Sequence, residues 1–154
     1  MTPTLAGFIA FLRTVVGIAT AVLPDNSPVI STAYDIATEL VNLAINDASS
    51  TIYTYAVYNL GSSNVLNYGQ DAVGAPLYQD GLPFFAYVRK KWNLLDPVFG
   101  IVQSSGDEGT SNSLVVPEAM KNLTLADLQY LKDPYGRQYL AFAQKFGPTV
   151  FGMT

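Results

Sequence analysis

Asp133-Pro134-Tyr135-Gly136-Arg137-Gln138-Tyr139-Leu140-Ala141-Phe142-Ala143-Gln144-Lys145-Phe146-Gly147-Pro148 is the best-punctuated stretch of the chain. Asp133 can act as N-cap, accepting from N–H groups of the first turn, and Pro134 has no N–H to leave unpaired at the first helical position. Gly147-Pro148 supplies a C-terminal cap and a stop. The punctuation predicts a helix over 134–146. Within it Tyr135, Tyr139, Phe142 and Phe146 recur at intervals of four, three and four, which puts four rings on one face. The pattern alone means a terminal helix docked on a core, with most of those rings inside.

Just upstream, Thr124 is the expected cap of a short helix over 125–132, with Leu125, Leu128 and Leu131 on one side. Before it, Phe99-Gly100-Ile101-Val102-Gln103-Ser104-Ser105 and Thr110-Ser111-Asn112-Ser113-Leu114-Val115-Val116 flank Gly106-Asp107-Glu108-Gly109. Both runs are aliphatic at the base and polar toward the tip, which predicts a β-hairpin over about 99–116 with an acidic, projecting end. An isolated hairpin is marginal in water, so such an arm suits a limb that reaches a neighbour. After Pro148 the tail Thr149 to Thr154 is apolar and uncharged, which predicts that it adds to a partner surface.

Toward the N-terminus, X-Pro starts and apolar spacing predict helices over about 3–16, 28–47, 50–67 and 83–94. In the first, Leu5, Phe8, Ile9, Leu12, Val15 and Val16 follow helical spacing and leave Arg13 on the other face. In the second, Val29, Ile30, Ala33, Ala37, Leu40, Val41 and Ala44 form the stripe, and Asp35 and Glu39 share an outer face. That pair reads as a metal or acid/base site or as a solvated face; no third ligand at helical spacing favours the latter. The third helix is rich in tyrosine, whose ring and hydroxyl suit a core helix with polar tips or a half-wet contact surface. The fourth carries Arg89-Lys90-Lys91 beside Trp92, the one basic cluster; complementing a helix C-terminus fits it better than a nucleic-acid contact.

Composition limits the chemistry. The 154 residues suit one domain, 1–154, with a real core. Charged residues make up only 13%, about half the usual share, so the chain is membrane-bound or much of its surface is covered by partners. The run Leu5–Leu23 is a poor membrane span: Arg13 near its middle costs about 2.5–3.5 kcal/mol, and nothing basic precedes Leu5 as in a signal peptide. With no Cys and no His, disulfides, thiol nucleophiles, the usual zinc sites and the commonest general base are all excluded. No phosphate loop, no Gly-x-Ser-x-Gly elbow and no basic stripe is present. A glycosidase pair would have to come from scattered acids such as Asp71, Asp80 and Asp96. Assembly is therefore expected rather than catalysis, with no cofactor and no metal.

The order of elements, and above all residues 100–143, resembles the small head–tail adaptor (head-completion) proteins of tailed bacteriophages. The resemblance rests on Val102-Gln103-Ser104-Ser105 with Ser113-Leu114-Val115-Val116, followed by Asp133-Pro134-Tyr135-Gly136-Arg137-Gln138-Tyr139-Leu140-Ala141-Phe142. The segment Gly69–Leu94 and the tail after Pro148 depart from that pattern. The resemblance implies a mainly α fold, a small helical bundle with an inserted projecting β-hairpin and an extended C-terminal tail. It implies a structural virion protein, assembled in the host cytoplasm, that forms a ring, commonly twelve-fold, beneath the portal protein. Its partners would be portal, neighbouring copies of itself and a downstream neck or tail protein. Genomic DNA would pass through the channel without sequence-specific binding, and no membrane is involved. The expected interface residues are Asp107 and Glu108 at the tip, Tyr135, Arg137, Tyr139, Phe142 and Phe146 on the closing helix, and Phe151 in the tail. Neighbouring subunits would pack through the second or third helix. A stopper, tail terminator or capsid-stabilising protein is the alternative, and a small membrane-associated protein a more distant one.

Overall fold

A charge-free sequence of nineteen residues, Ser50–Tyr68, forms the axis of the fold. The structure is a computed structural model that describes residues 2–95, 101–104, 113–115 and 125–146. Those residues form α1 (Leu5–Phe11), α2 (Pro28–Leu40), α3 (Ala44–Ala48), α4 (Ser50–Tyr68), α5 (Phe84–Lys91), β1 (Ile101–Ser104), β2 (Ser113–Val115), α6 (Leu125–Tyr130) and α7 (Pro134–Phe146). Helix α4 is buried around most of its circumference, as expected for a helix with no charged face. It packs against α1, α2, α3, α5 and α7. Two of its buried polar side chains bond to the preceding turn: Thr54 Oγ1 donates to Ser50 O (2.9 Å) and Asn59 Nδ2 to Tyr55 O (2.7 Å). Of the two roles open to its tyrosines, core packing prevails for Tyr53 and Tyr58, whereas Tyr55 and Tyr68 are exposed. Most of α4 is enclosed by its own chain, so of the second and third helices named for subunit packing, α2 has more of its length exposed.

The mainly helical class holds. Several boundaries move, each for a local reason. The first helix starts at Leu5, not at 3, because Thr4 is the N-cap: its Oγ1 accepts from Gly7 N at 3.0 Å. The Tyr58 hydroxyl fastens that cap, accepting from Thr4 N and donating to Thr4 O. After Phe11 the helix widens into a π-turn, Leu12–Val16, which ends at Gly17. Arg13 does not simply face solvent. Its guanidinium donates to Ile18 O (2.8 Å) and Leu23 O (2.6 Å) and pairs with Asp25, stapling the irregular turn that follows.

The helix expected over 28–47 is two helices. Val41 turns extended, and Asn42 Oδ1 caps α3 by accepting from Ala44 N at 2.8 Å. The break lets both Val41 and Ile45 reach the core and leaves Leu40 and Leu43 exposed. Helix α5 ends at Lys91 rather than 94 because Asn93 adopts the left-handed conformation (φ 51°). Leu94 N then reaches back to Arg89 O at 2.9 Å, and the Leu94 side chain is buried, a Schellman-type ending. Helix α6 stops at Tyr130, two residues short of the expected 132.

Strands β1 and β2 pair antiparallel, Ile101 opposite Val115 and Val102 opposite Leu114, with a shift of register before Ser104 meets Ser113. A projecting hairpin over 99–116 is not supported by this: the pairing joins four residues to three. Its tip, Thr124 and the tail from Gly147 lie outside the described residues.

Asp133 joins the closing helix to the axis. It is 0% exposed. Oδ1 accepts from Tyr135 N (3.0 Å) and Gly136 N (2.8 Å), the cap read from sequence. Oδ2 accepts from Ser63 Oγ (2.7 Å) and Asn67 Nδ2 (3.0 Å), both on α4. Gly136 lets the α6–α7 corner close: a Cβ there would lie 2.2 Å from Tyr130 O. Asp133→Ala should lower stability by about 2–4 kcal/mol, the cost of a lost cap plus buried donors left without an acceptor. Urea unfolding checks this; a change below about 1 kcal/mol would refute the role.

Candidate functional site

Among the described residues, α2, α4 and α6 enclose an apolar groove of about 520 Å³. One wall is α2, through Pro28, Val29, Thr32, Ala33, Ile36 and Leu40; Asn64 and Tyr68 of α4 and Gln129 and Tyr130 of α6 complete it. No lining residue is charged. Ile36 is 44%, Leu40 55% and Tyr68 71% exposed, so large apolar side chains meet water along its rim. The cause is that α2 carries two apolar stripes. Ile30, Ala33 and Ala37 face the core, and Val29, Ile36 and Leu40 fall on a neighbouring line. The signal was present in the sequence: Ile36 lies seven residues after Val29 and four before Leu40, both counted in the single stripe expected for this helix, and that stripe is two.

Of the residues expected at interfaces, Tyr135, Tyr139, Phe142 and Phe146 are half-buried and pack against the core, and Arg137 is exposed. The fully buried positions of α7 are instead Gly136 and Leu140. Tyr135 meets Phe11 and Trp92 edge-on or tilted, each at 6.4 Å between ring centres, and its hydroxyl donates to Val15 O at 3.2 Å. Tyr139 stacks edge-on against Tyr130 at 5.3 Å, which braces α6 on α7 behind the groove. Asp107, Glu108 and Phe151 lie outside the described residues.

A second surface feature is a fixed apolar loop. Ala72-Val73-Gly74-Ala75-Pro76-Leu77-Tyr78 carries no charge, and Val73 is 107%, Leu77 67% and Tyr78 48% exposed. Ala75 N donates to Ala72 O at 3.0 Å, with Gly74 at φ 80°, so Val73 sits at the tip of a tight turn. Both ends of the loop are held. Ala72 N donates to Val22 O (2.8 Å) and Tyr78 N to Leu82 O (2.8 Å). Asp71, one of the acids considered for catalysis, caps α5 by accepting from Phe84 N (2.8 Å) and Phe85 N (3.1 Å).

The basic cluster is partly structural. Arg89 donates to Leu66 O at 3.1 Å and to Gly69 O, closing the C-terminus of α4 rather than that of its own helix. Burial lowers its pKa, and nearby Asp71 partly offsets this. Asp35 and Glu39 lie on the exposed face of α2. Among the described residues no group of three Asp or Glu side chains could hold a metal ion, and no helix is long and apolar enough to cross a membrane. No protein family, curated protein or solved structure matches the chain.

Four tyrosines hold their protons more tightly than free phenol. Burial is the main cause for Tyr34, Tyr53, Tyr135 and Tyr139; Tyr130 and Asp127 add to it at Tyr139, and Asp133 at Tyr135. Because the folded pKa values lie above the unfolded value of about 10, this stability is intact below about pH 10 and is lost as pH rises through the folded values. The urea midpoint should therefore fall above about pH 10, and Tyr139→Phe should make that fall shallower. An identical alkaline profile for the Phe variant would contradict the assignment.

Proposed function

We propose that the chain is a structural ring adaptor of a tailed-phage neck, sitting beneath the portal, extending the DNA channel and docking the next neck or tail component. The observation that carries the reading is the uncharged groove on α2, rimmed by exposed Ile36, Leu40 and Tyr68, on a chain with only 13% charged residues. Apolar patches of that kind belong at contacts between proteins. The resemblance of residues 100–143 to head–tail adaptors supplies the setting and the expected twelve-fold ring. A closed ring needs a heterologous, head-to-tail interface, and α2 offers one half of it.

The test is the mass of the purified chain, alone and with a purified portal ring. A particle many times 16.6 kDa is expected, and Ile36→Lys with Leu40→Lys should prevent it while leaving the chain folded. A chain that stays monomeric and ignores portal rings would end the proposal. Imaging a tagged copy in the virion distinguishes this position from that of a stopper, tail terminator or capsid-stabilising protein.

Asp107 and Glu108 carry a second expectation. Acids facing the channel would repel DNA phosphates and let the genome slide. Changing both to Lys should slow ejection in low salt; unchanged ejection retires the idea.

A further inference from the structure

The groove and the fixed loop are complementary, and one chain carries both. We propose that the Ala72–Tyr78 loop of one copy seats in the α2–α4–α6 groove of the next, making a head-to-tail contact that repeats from copy to copy. The inference rests on the self-assembly part of the adaptor reading and names the two surfaces that meet.

The loop is built for contact. Exposed apolar side chains are commonly tolerated singly, but here Val73 and Leu77 are exposed within one short loop held at both ends, and Tyr78 beside them is braced edge-on against Phe84 and Tyr87. The Val22 carbonyl anchors one side, and the Leu82 carbonyl and the Asp71-capped start of α5 anchor the other. Both ends of the loop are therefore placed before any partner arrives, which lowers the ordering cost of association. Those anchors also hold it off its own groove, whose lining includes none of residues 72–78.

Size and charge agree. Along α2 the groove runs from Val29 to Leu40, about 16 Å at helical rise. Residues 73–78 span at most about 20 Å extended, and less with the turn at Gly74. The volume of about 520 Å³ accommodates a few apolar side chains. Neither surface contains a charge, so docking strands none, and the two surfaces are different. Contact between different patches of identical chains is heterologous, and repeats until a ring closes. Groove-to-groove pairing would instead leave the loop in water and stop at a dimer.

The absence of cysteine allows a direct test. Thr32 lines the groove and is exposed, and Val73 is the tip of the loop. Purified Thr32→Cys and Val73→Cys chains are mixed at a concentration where the chain assembles and oxidised, or bridged with a short thiol cross-linker. The mixture should give the heterologous pair, and the chain carrying both substitutions should give a ladder of multimers. Val73→Asp should raise the concentration for half-assembly about tenfold or more, with an unchanged melting temperature because the side chain is fully exposed. An assembled protein with no Thr32–Val73 product, or with Thr32–Thr32 links alone, overturns this contact and leaves the adaptor reading standing. A chain monomeric at every concentration also overturns it, while portal binding then decides the adaptor reading separately.

Discussion

The buried carboxylate of Asp133 is the constraint on which the architecture most depends. A charge with no exposure is tolerated only when its lone pairs are filled, and here two backbone N–H groups, one hydroxyl and one amide fill them. One oxygen starts α7 and the other grips α4, so a local capping preference also fixes how the last helix sits on the axial one. The angle of α7 then decides where Tyr135 and Tyr139 lie, and through Tyr130 it sets the α6 wall of the groove. A hydrophobic contact in the same place would tolerate sliding; four directed hydrogen bonds do not.

The same device recurs in smaller form. Arg13 binds the carbonyls of the turn after α1, Asp71 caps α5 from the loop before it, and Arg89 closes the C-terminus of α4. Three of the few charged side chains in the chain are thereby turned inward onto backbone groups. This explains how a chain so poor in charge ties down its irregular segments. It also leaves less charge for the surface, and the groove on α2 and the loop at Val73 are where that shortage is most visible. Scarcity of charge outside and polar pinning inside are two sides of one composition.

This division gives the assembly reading its physical basis. Surfaces meant for water carry mixed charge, whereas the α2 groove and the 72–78 loop carry none and are rigidly presented. The lining of the groove provides hydroxyl, amide and apolar groups.

Local chemistry was legible in the sequence where it is self-contained. The α7 limits, the Asp133 cap and the mainly helical class depend on residues within a turn of one another. The break at Val41 and the left-handed Asn93 were not legible, because each is decided by whether Val41, Ile45 and Leu94 can reach a core assembled from distant segments. Arg13 and Asp71 looked like a spare charge and a loose acid for the same reason, their partners being carbonyls and amides that only the folded chain brings near. The second apolar stripe of α2 is written in the sequence as Val29, Ile36 and Leu40. That the described residues leave Ile36 and Leu40 exposed is a tertiary fact, since α4 can bury only one face of a neighbouring helix.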